Sequence, residues 1–111
     1  MPDYGNRRDG SKKGSGYLGI ITNSEGDVMT EYTVGVNIDG KEMDIPTITP
    51  NLTREDIQEL KNIRDGDAPS QRIVDRAVDH AIFRLQSGRS VFADSEDAPD
   101  VKTYRRNLGI D

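Results

Sequence analysis

The segment from Thr30 to Ile48 predicts a β-hairpin whose register can be checked against its own apolar pattern. Residues 31–38 alternate between polar and apolar types, which is the period of a half-buried strand. Asp39-Gly40 follows and suits a two-residue type I′ turn, because both central positions of that turn need a positive φ. This turn sets the facing pairs Ile38–Lys41, Val36–Met43, Val34–Ile45 and Tyr32–Thr47 on one face, and Asn37–Glu42 and Gly35–Asp44 on the other. A shift of one residue would turn the apolar side chains to solvent, so the pattern and the turn support the same pairing.

The composition restricts the size of the core and the class of partner. Of 111 residues, 32% are hydrophobic and another 32% are charged, so we expect one small domain of modest stability. The net charge of −5 argues against a nucleic-acid-binding protein of the basic-patch type. No apolar run approaches the roughly 20 residues of a membrane span, and the N-terminus lacks a signal-peptide core. The chain contains no cysteine, which excludes disulfides and thiolate ligands. We therefore expect synthesis in the cytoplasm.

We predict an α+β fold in which two helices pack on a three-stranded antiparallel meander. The first strand is expected at about 17–22, and the hairpin supplies the other two. A first helix is predicted over about 54–64, because Thr53 can cap its N-terminus and acidic residues follow. A second helix is predicted with Pro69 near its first turn and Gly88 just past its end. Its apolar stripe has helical spacing and comprises Ile73, Val74, Ala77, Val78, Ala81, Ile82 and Leu85.

Two charged terminal segments flank the predicted folded domain at residues 17–93. Residues 1–16 are rich in glycine and basic, and we interpret them as an arm that is either solvated or ordered by an acidic neighbour. Residues 94–111 carry an acidic block and then a basic block, which suits either a disordered tail or an extended arm laid across another molecule. The candidate partner contacts in these arms are Tyr4, Arg7, Arg8, Tyr104, Arg105 and Arg106.

Phe83 is the residue that fits the helical pattern least. At 100° per residue it falls almost opposite the apolar stripe, near Arg76, with His80 and Arg84 between it and the edge of that stripe. Either the C-terminal segment folds back over the ring, or the ring contacts another subunit, because aromatic residues and arginine are frequent in protein interfaces. We therefore interpret all four residues as candidate interface residues, together with Phe92 in a short apolar segment.

The sequence contains no convincing pattern for a catalytic, metal or cofactor site. Residues 14–19 spell G-x-G-x-x-G, but a dinucleotide site needs a strand before the glycines and a helix after them. Here a polar segment precedes the glycines and a β-favouring run follows. The acidic loop 23–27 lacks the spacing of an EF-hand. His80 has no cysteine to activate, and we interpret it as a surface histidine in an interface or ion-pair network. We expect neither an enzyme nor a bound cofactor.

A string of short motifs extends over most of the chain. It comprises PDYGNR at 2–7, DG at 9–10, KG at 13–14, GYLG at 16–19, TE at 30–31, GV at 35–36, DGKE at 39–42, IPT at 45–47, LT at 52–53, IVD at 73–75, Ala77, HA at 80–81 and GRSVFA at 88–93. The string resembles a small domain of tailed-phage virion proteins. In length and acidic charge the chain is similar to the decoration, or stapling, proteins on the capsids of short-tailed enterobacterial phages. The resemblance ends at Ala93, and it implies a non-catalytic role with a more strand-rich, jelly-roll-like fold as the alternative architecture.

These observations lead us to expect a structural protein of the virion. It would decorate the outside of the head, staple neighbouring major capsid subunits and associate with its own copies on the lattice, without a membrane or a specific nucleic acid as partner. One alternative is an internal or ejected virion component. Another is an acidic protein that mimics DNA and inhibits a host defence enzyme, which requires aligned carboxylates on one face. The acidic residues are instead spread through Glu25, Glu42, Asp44, Glu55, Asp65 and Asp79.

Overall fold

The computed structural model describes residues 5–7, 10–64 and 67–110, and it confirms the α+β class. Within these residues the strands form two antiparallel sheets of two strands each. The elements are β1 (Ile21–Thr22), β2 (Val28–Met29), β3 (Thr33–Ile38), β4 (Lys41–Pro46), α1 (Arg54–Asn62), α2 (Gln71–Gln86), a 3₁₀ helix (Ser95–Asp100) and α3 (Val101–Leu108). None of the described helices is long and apolar enough to cross a bilayer.

The β3–β4 hairpin has the predicted turn and the predicted register. Asp39 and Gly40 both have positive φ, at 52° and 82°, as a type I′ turn requires. The facing pairs run from Ile38–Lys41 to Thr33–Pro46 without a shift. One more bond extends the ladder, because the Thr47 amide donates to the Tyr32 carbonyl oxygen at 2.8 Å.

The predicted three-stranded meander is wrong, because β1 pairs with β2 and neither pairs with the hairpin. The segment between the two sheets, which includes Thr30 and Glu31, makes other contacts instead of pairing as a strand. Thr30 and Glu31 are buried, and the Thr30 hydroxyl donates to the Gly14 carbonyl oxygen at 2.7 Å. Tyr17 and Leu18, expected at the start of a strand, lie in a turn with their side chains in the core. Two separate two-stranded sheets among the described residues also contradict the jelly-roll alternative.

A buried carboxylate joins α1 to α2. The side chain of Thr53 accepts a hydrogen bond from the Asp56 amide at 3.1 Å, and the Asp56 carboxylate accepts one from the Thr53 amide at 2.9 Å, which forms a capping box. Arg72 and Arg76 of α2 then reach the same carboxylate at 2.8 and 3.2 Å. The cap predicted from the sequence is confirmed, and its carboxylate also ties α2 to the start of α1.

Two apolar clusters make up the core of the described residues, and α2 contributes to both. Ile73 packs into the larger cluster, which contains Tyr17, Leu18, Ile21, Ile48, Leu52, Ile57, Leu60, Leu108 and Ile110. Ala77 and Ala81 pack against Ile38 and Ile45 of the hairpin, so the small side chains allow the close approach that the sequence predicted. Leu85 was expected to close the stripe, but it is 43% exposed.

The C-terminal segment is not an extended arm, which corrects the prediction for residues 94–111. It forms the 3₁₀ helix and α3, and Leu108 and Ile110 are buried in the larger cluster. Asp94 caps the 3₁₀ helix and Glu96 and Asp97 lie in its first turn, whereas Arg105 and Arg106 lie in the last turn of α3. This order of charges complements the helix dipole, so the pattern that suggested an extended segment is also typical of helical structure.

Candidate partner-binding surface

Phe83 lies on α2 with 63% of its surface exposed, as its position in the helical pattern predicted. Its ring is tilted against that of His80 at a centroid distance of 6.5 Å, one turn earlier on the same helix. The C-terminal segment packs elsewhere, so the explanation in which it covers the ring is wrong for the described chain. A large aromatic side chain on a rigid helix is therefore available to a partner.

His80 is half-buried rather than part of a surface ion-pair network, which corrects our interpretation from the sequence. Its ring meets that of Tyr17 edge-on at 4.8 Å, and its Nδ1 is buried without a hydrogen-bond partner in the part of the chain that the structure describes. Burial lowers the pKa of His80, the guanidinium groups of Arg84 and Arg89 lower it further, and Asp97 opposes them. The imidazole is therefore neutral in the folded protein at pH 7.

We expect mild acid to weaken the fold through His80. Because the pKa of His80 in the folded state lies below its usual 6.5, the unfolded chain takes up this proton first, and the free energy of unfolding falls as the pH drops through that value. Denaturant unfolding at about pH 7.5 and about pH 5.5 measures the loss. The loss should shrink in His80→Gln, which does not titrate. An equal loss in both proteins would contradict this assignment.

Arg84 is 2% exposed, so the predicted partner contact at this residue is wrong. Its guanidinium donates to the carbonyl oxygens of Ser90 at 2.7 Å and Phe92 at 2.9 Å, and to Asp97 at 3.0 Å. Burial raises the pKa of Asp97, but the Asp94 amide and the Arg84 guanidinium outweigh it and hold that pKa below its usual range. The spacing contained the signal that we missed, since Arg84 follows Ala77 by seven residues and so lies on the buried stripe.

Arg76 is half-buried, and its charge is used within the chain. It reaches Asp56 through Nε, and its Nη1 donates to the Asn51 carbonyl oxygen at 3.3 Å. The Asn51 side chain donates back to the Arg76 carbonyl oxygen at 3.0 Å. Arg76 therefore holds the start of α1 to the middle of α2, and its position leaves part of its side chain, 38%, at the surface.

Arg7 and Phe92, which the sequence placed in separate segments, meet in the structure. The Arg7 guanidinium makes two hydrogen bonds to the buried carboxylate of Glu31, at 2.8 and 2.9 Å, and lies over the Phe92 ring at 4.0 Å. The described part of the N-terminal segment therefore folds onto the domain, which corrects the extended arm expected there. An open cleft of about 770 Å³ separates this pair from the polar face of the hairpin. Tyr4 and Arg8 lie outside the described residues.

The candidate residues near the C-terminus divide into buried and exposed positions. Tyr104 packs against the larger cluster, and Arg105 donates to the carbonyl oxygens of Leu18 at 2.6 Å and Ile20 at 2.7 Å. Arg106 is exposed on α3. Of the predicted partner contacts that the structure describes, Phe83 and Arg106 are thus the ones that are largely exposed to solvent.

The glycine-rich motif at residues 14–19 is needed for close backbone packing. A Cβ on Gly16 would lie 2.2 Å from the Thr30 carbonyl oxygen, and the residue has a φ of +74°. Strand β1 follows the motif in place of the helix that a dinucleotide site requires. No group of three or more potential metal ligands occurs within residues 5–7, 10–64 and 67–110.

Comparison with known proteins adds no relative. The chain matches no protein-family model, no curated protein and no solved structure. The function proposed below therefore depends on the exposed surface of the fold and on the motif resemblance.

Proposed function

We propose that this protein is a non-enzymatic structural component of a tailed-phage virion, which binds the outside of the head and staples neighbouring major capsid subunits. The exposed ring of Phe83 is the observation that carries this proposal. The motif resemblance over residues 2–93 supplies the class of partner, and the outer face of the head follows from the similarity to decoration proteins. Association with further copies on the lattice belongs to the same proposal.

The physical basis for a stapling role is binding free energy. Each molecule gains free energy when its exposed Phe83 ring is buried at the capsid, and this gain is repeated at every binding site on the lattice. Burying a Phe side chain is worth about 1.5–3 kcal/mol, and a rigid helix loses little additional entropy when it docks. A ligand that binds only the assembled shell stabilises that shell by mass action. Repetition over the lattice makes modest contacts collectively strong when the geometry permits simultaneous binding.

The packed terminal segments change how the staple would work. Because Leu108 and Ile110 of the C-terminal segment lie in the core and Arg7 is paired with Glu31, the described terminal segments are part of the folded domain rather than two long arms. Neighbouring capsid subunits would therefore be joined across the folded domain itself. Phe83 supplies an apolar anchor, and the exposed Arg106 supplies a positive group for the polar rim of an interface.

We expect Phe83→Ala to weaken binding to phage heads that were assembled without this protein by about 10- to 100-fold, as for a typical aromatic hot spot. The protein's own stability should change little, because the ring is mostly in solvent before binding. Titration of the purified protein onto such heads measures the affinity, and the heat and chelator resistance of the loaded heads measures the stapling.

Val28→Ala is a matched control, since Val28 is also an exposed apolar residue but lies on β2. It should bind the heads as the unmodified protein does. Unchanged heat and chelator resistance after removal of the protein would contradict stapling, and antibody access to intact particles tests the outside location. A copy number of only a few per virion would also count against a role repeated on the lattice.

A further inference from the structure

The outer edge of β3 presents backbone groups that the hairpin does not use. In an antiparallel ladder, alternate residues of a strand exchange hydrogen bonds with the partner and the others point away. Ile38 flanks the two-residue turn opposite Lys41, and the Tyr32 carbonyl oxygen accepts from Thr47, so the even-numbered residues of β3 bond to β4. The N–H and C=O groups of the odd-numbered residues, Thr33, Gly35 and Asn37, therefore point outward.

These outward groups are accessible and unpaired. Gly35 and Asn37 are exposed and Thr33 is partly exposed, and no described residue forms a hydrogen bond with their backbone groups on the outer side. Charged residues, proline and bulges usually protect a sheet edge, and β3 contains none of them.

The opposite edge of the same hairpin is protected. The outward positions of β4 are Glu42, Asp44 and Pro46, which supply two negative charges and a residue without an N–H. Such residues oppose the addition of a further strand. Because only the β4 edge is protected, a further strand can add to this sheet at the β3 edge.

A groove of about 390 Å³ runs beside the first half of β3. Tyr32, Val34 and Pro69 supply apolar surface, and Lys13 and Asp67 bring one charge of each sign to its lining. The Tyr32 hydroxyl donates to the Asp67 carbonyl oxygen at 2.6 Å, which holds the loop before α2 against the strand. An added strand projects alternate side chains to one face, so one of them would enter this groove.

We propose that the outer edge of β3 binds an extended, uncharged segment of a partner protein as an additional antiparallel strand, with one apolar side chain in the groove beside Tyr32. The inference deepens the proposed function, on which it rests for the identity of the partner. A second copy of this chain is a poor occupant. Its own Val34, Val36 and Ile38 already pack against α2, so they are not free to fill the groove.

The test uses the full chain and a synthetic probe, an acetylated and amidated peptide of sequence Thr-Val-Thr-Phe-Thr-Val-Thr. Its side chains alternate and its backbone can pair with β3. At saturating peptide, we expect amide hydrogen exchange at Thr33, Gly35 and Asn37 to slow by about tenfold or more, because these groups gain partners. Exchange at Val34 and Val36 should change less, since their amides are already bonded within the hairpin.

Two controls isolate backbone pairing from adhesion of side chains. The same peptide with every amide N-methylated keeps its side chains but has no backbone N–H donors, so it should give no protection. In the protein, Thr33→Pro removes an outward N–H that the hairpin does not use and should weaken peptide binding by at least about fivefold. Thermal unfolding of this variant checks that it folds, and the methylated peptide tests the proposal independently of that result.

The outcomes separate this inference from the proposed function. Absence of protection by the peptide at millimolar concentration would overturn it, and so would protection of the same amides that rises with protein concentration alone, which identifies a second copy as the occupant. If Thr33→Pro loses the peptide but still binds phage heads normally, the edge is not the capsid contact. If the peptide binds as expected but no form of the protein binds heads, the strand-binding role of the β3 edge is supported and the proposed function is contradicted.

Discussion

Replacing Arg84 with methionine is expected to lower the free energy of unfolding by about 3–5 kcal/mol, a large part of the ~5–15 kcal/mol of a typical domain. Methionine fills much of the same volume, but it leaves the buried Asp97 carboxylate without its nearest cation and two backbone carbonyls without their donor. We expect the thermal midpoint to fall by roughly 10–20 °C in a circular dichroism melt.

Arg106→Met is the matched control for this change. It removes the same charge from an exposed position on α3, and its cost should stay within about 0.5 kcal/mol. Adding Asp97→Asn to Arg84→Met should recover part of the loss, because the buried group is then neutral. A change at Arg84 no larger than that at Arg106 would show that the buried guanidinium is not needed for the fold.

Gly16→Ala should have the second large effect, a loss of about 2–5 kcal/mol from the strained backbone together with the overpacking. The new methyl would meet the Thr30 carbonyl oxygen at 2.2 Å, and that atom belongs to buried backbone. The positive φ of +74° adds a cost that any L-residue with a side chain bears. Chemical denaturation of the purified variant measures the difference.

Gly26→Ala separates the two contributions. Gly26 has a similar φ of +87°, but a Cβ there meets nothing within 4 Å. Its cost should be limited to the backbone term of about 1–2 kcal/mol. Equal destabilisation by the two substitutions would mean that the close approach to Thr30 contributes nothing.

The features that the sequence predicted correctly share a local physical origin. The β3–β4 register follows from a turn in which Asp39 and Gly40 both adopt positive φ, and from side chains two positions apart. The exposure of Phe83 follows from the 3.6-residue period of α2. The cap of α1 needs residues no more than three positions apart, Thr53 and Asp56. In each case the interacting groups lie close together along the chain, so their geometry follows from local structure without knowledge of the fold.

The corrected features depend on distant partners. Arg84 is buried because four acceptors in residues 90–97 converge on it. A charged residue at an apolar position of the helical pattern does not by itself indicate that such partners exist. The C-terminal segment has few apolar residues, but Leu108 and Ile110 are buried in the larger cluster, and Arg105 donates to the carbonyl oxygens of Leu18 and Ile20. Its opposed charges are equally compatible with an extended segment and with a helix, so the charges alone do not distinguish the two structures.

The amino-acid sequence by itself determined the hairpin, the two main helices and the position of Phe83. Turn dihedrals and side-chain periodicity specify all of these within short stretches of chain. Only the tertiary structure decided that Arg84 is internal, that Arg7 lies over Phe92, and that β3 has an open edge beside a groove. Burial and the pairing of polar groups are properties of residues brought together from distant positions, and they are defined only when the whole chain has folded.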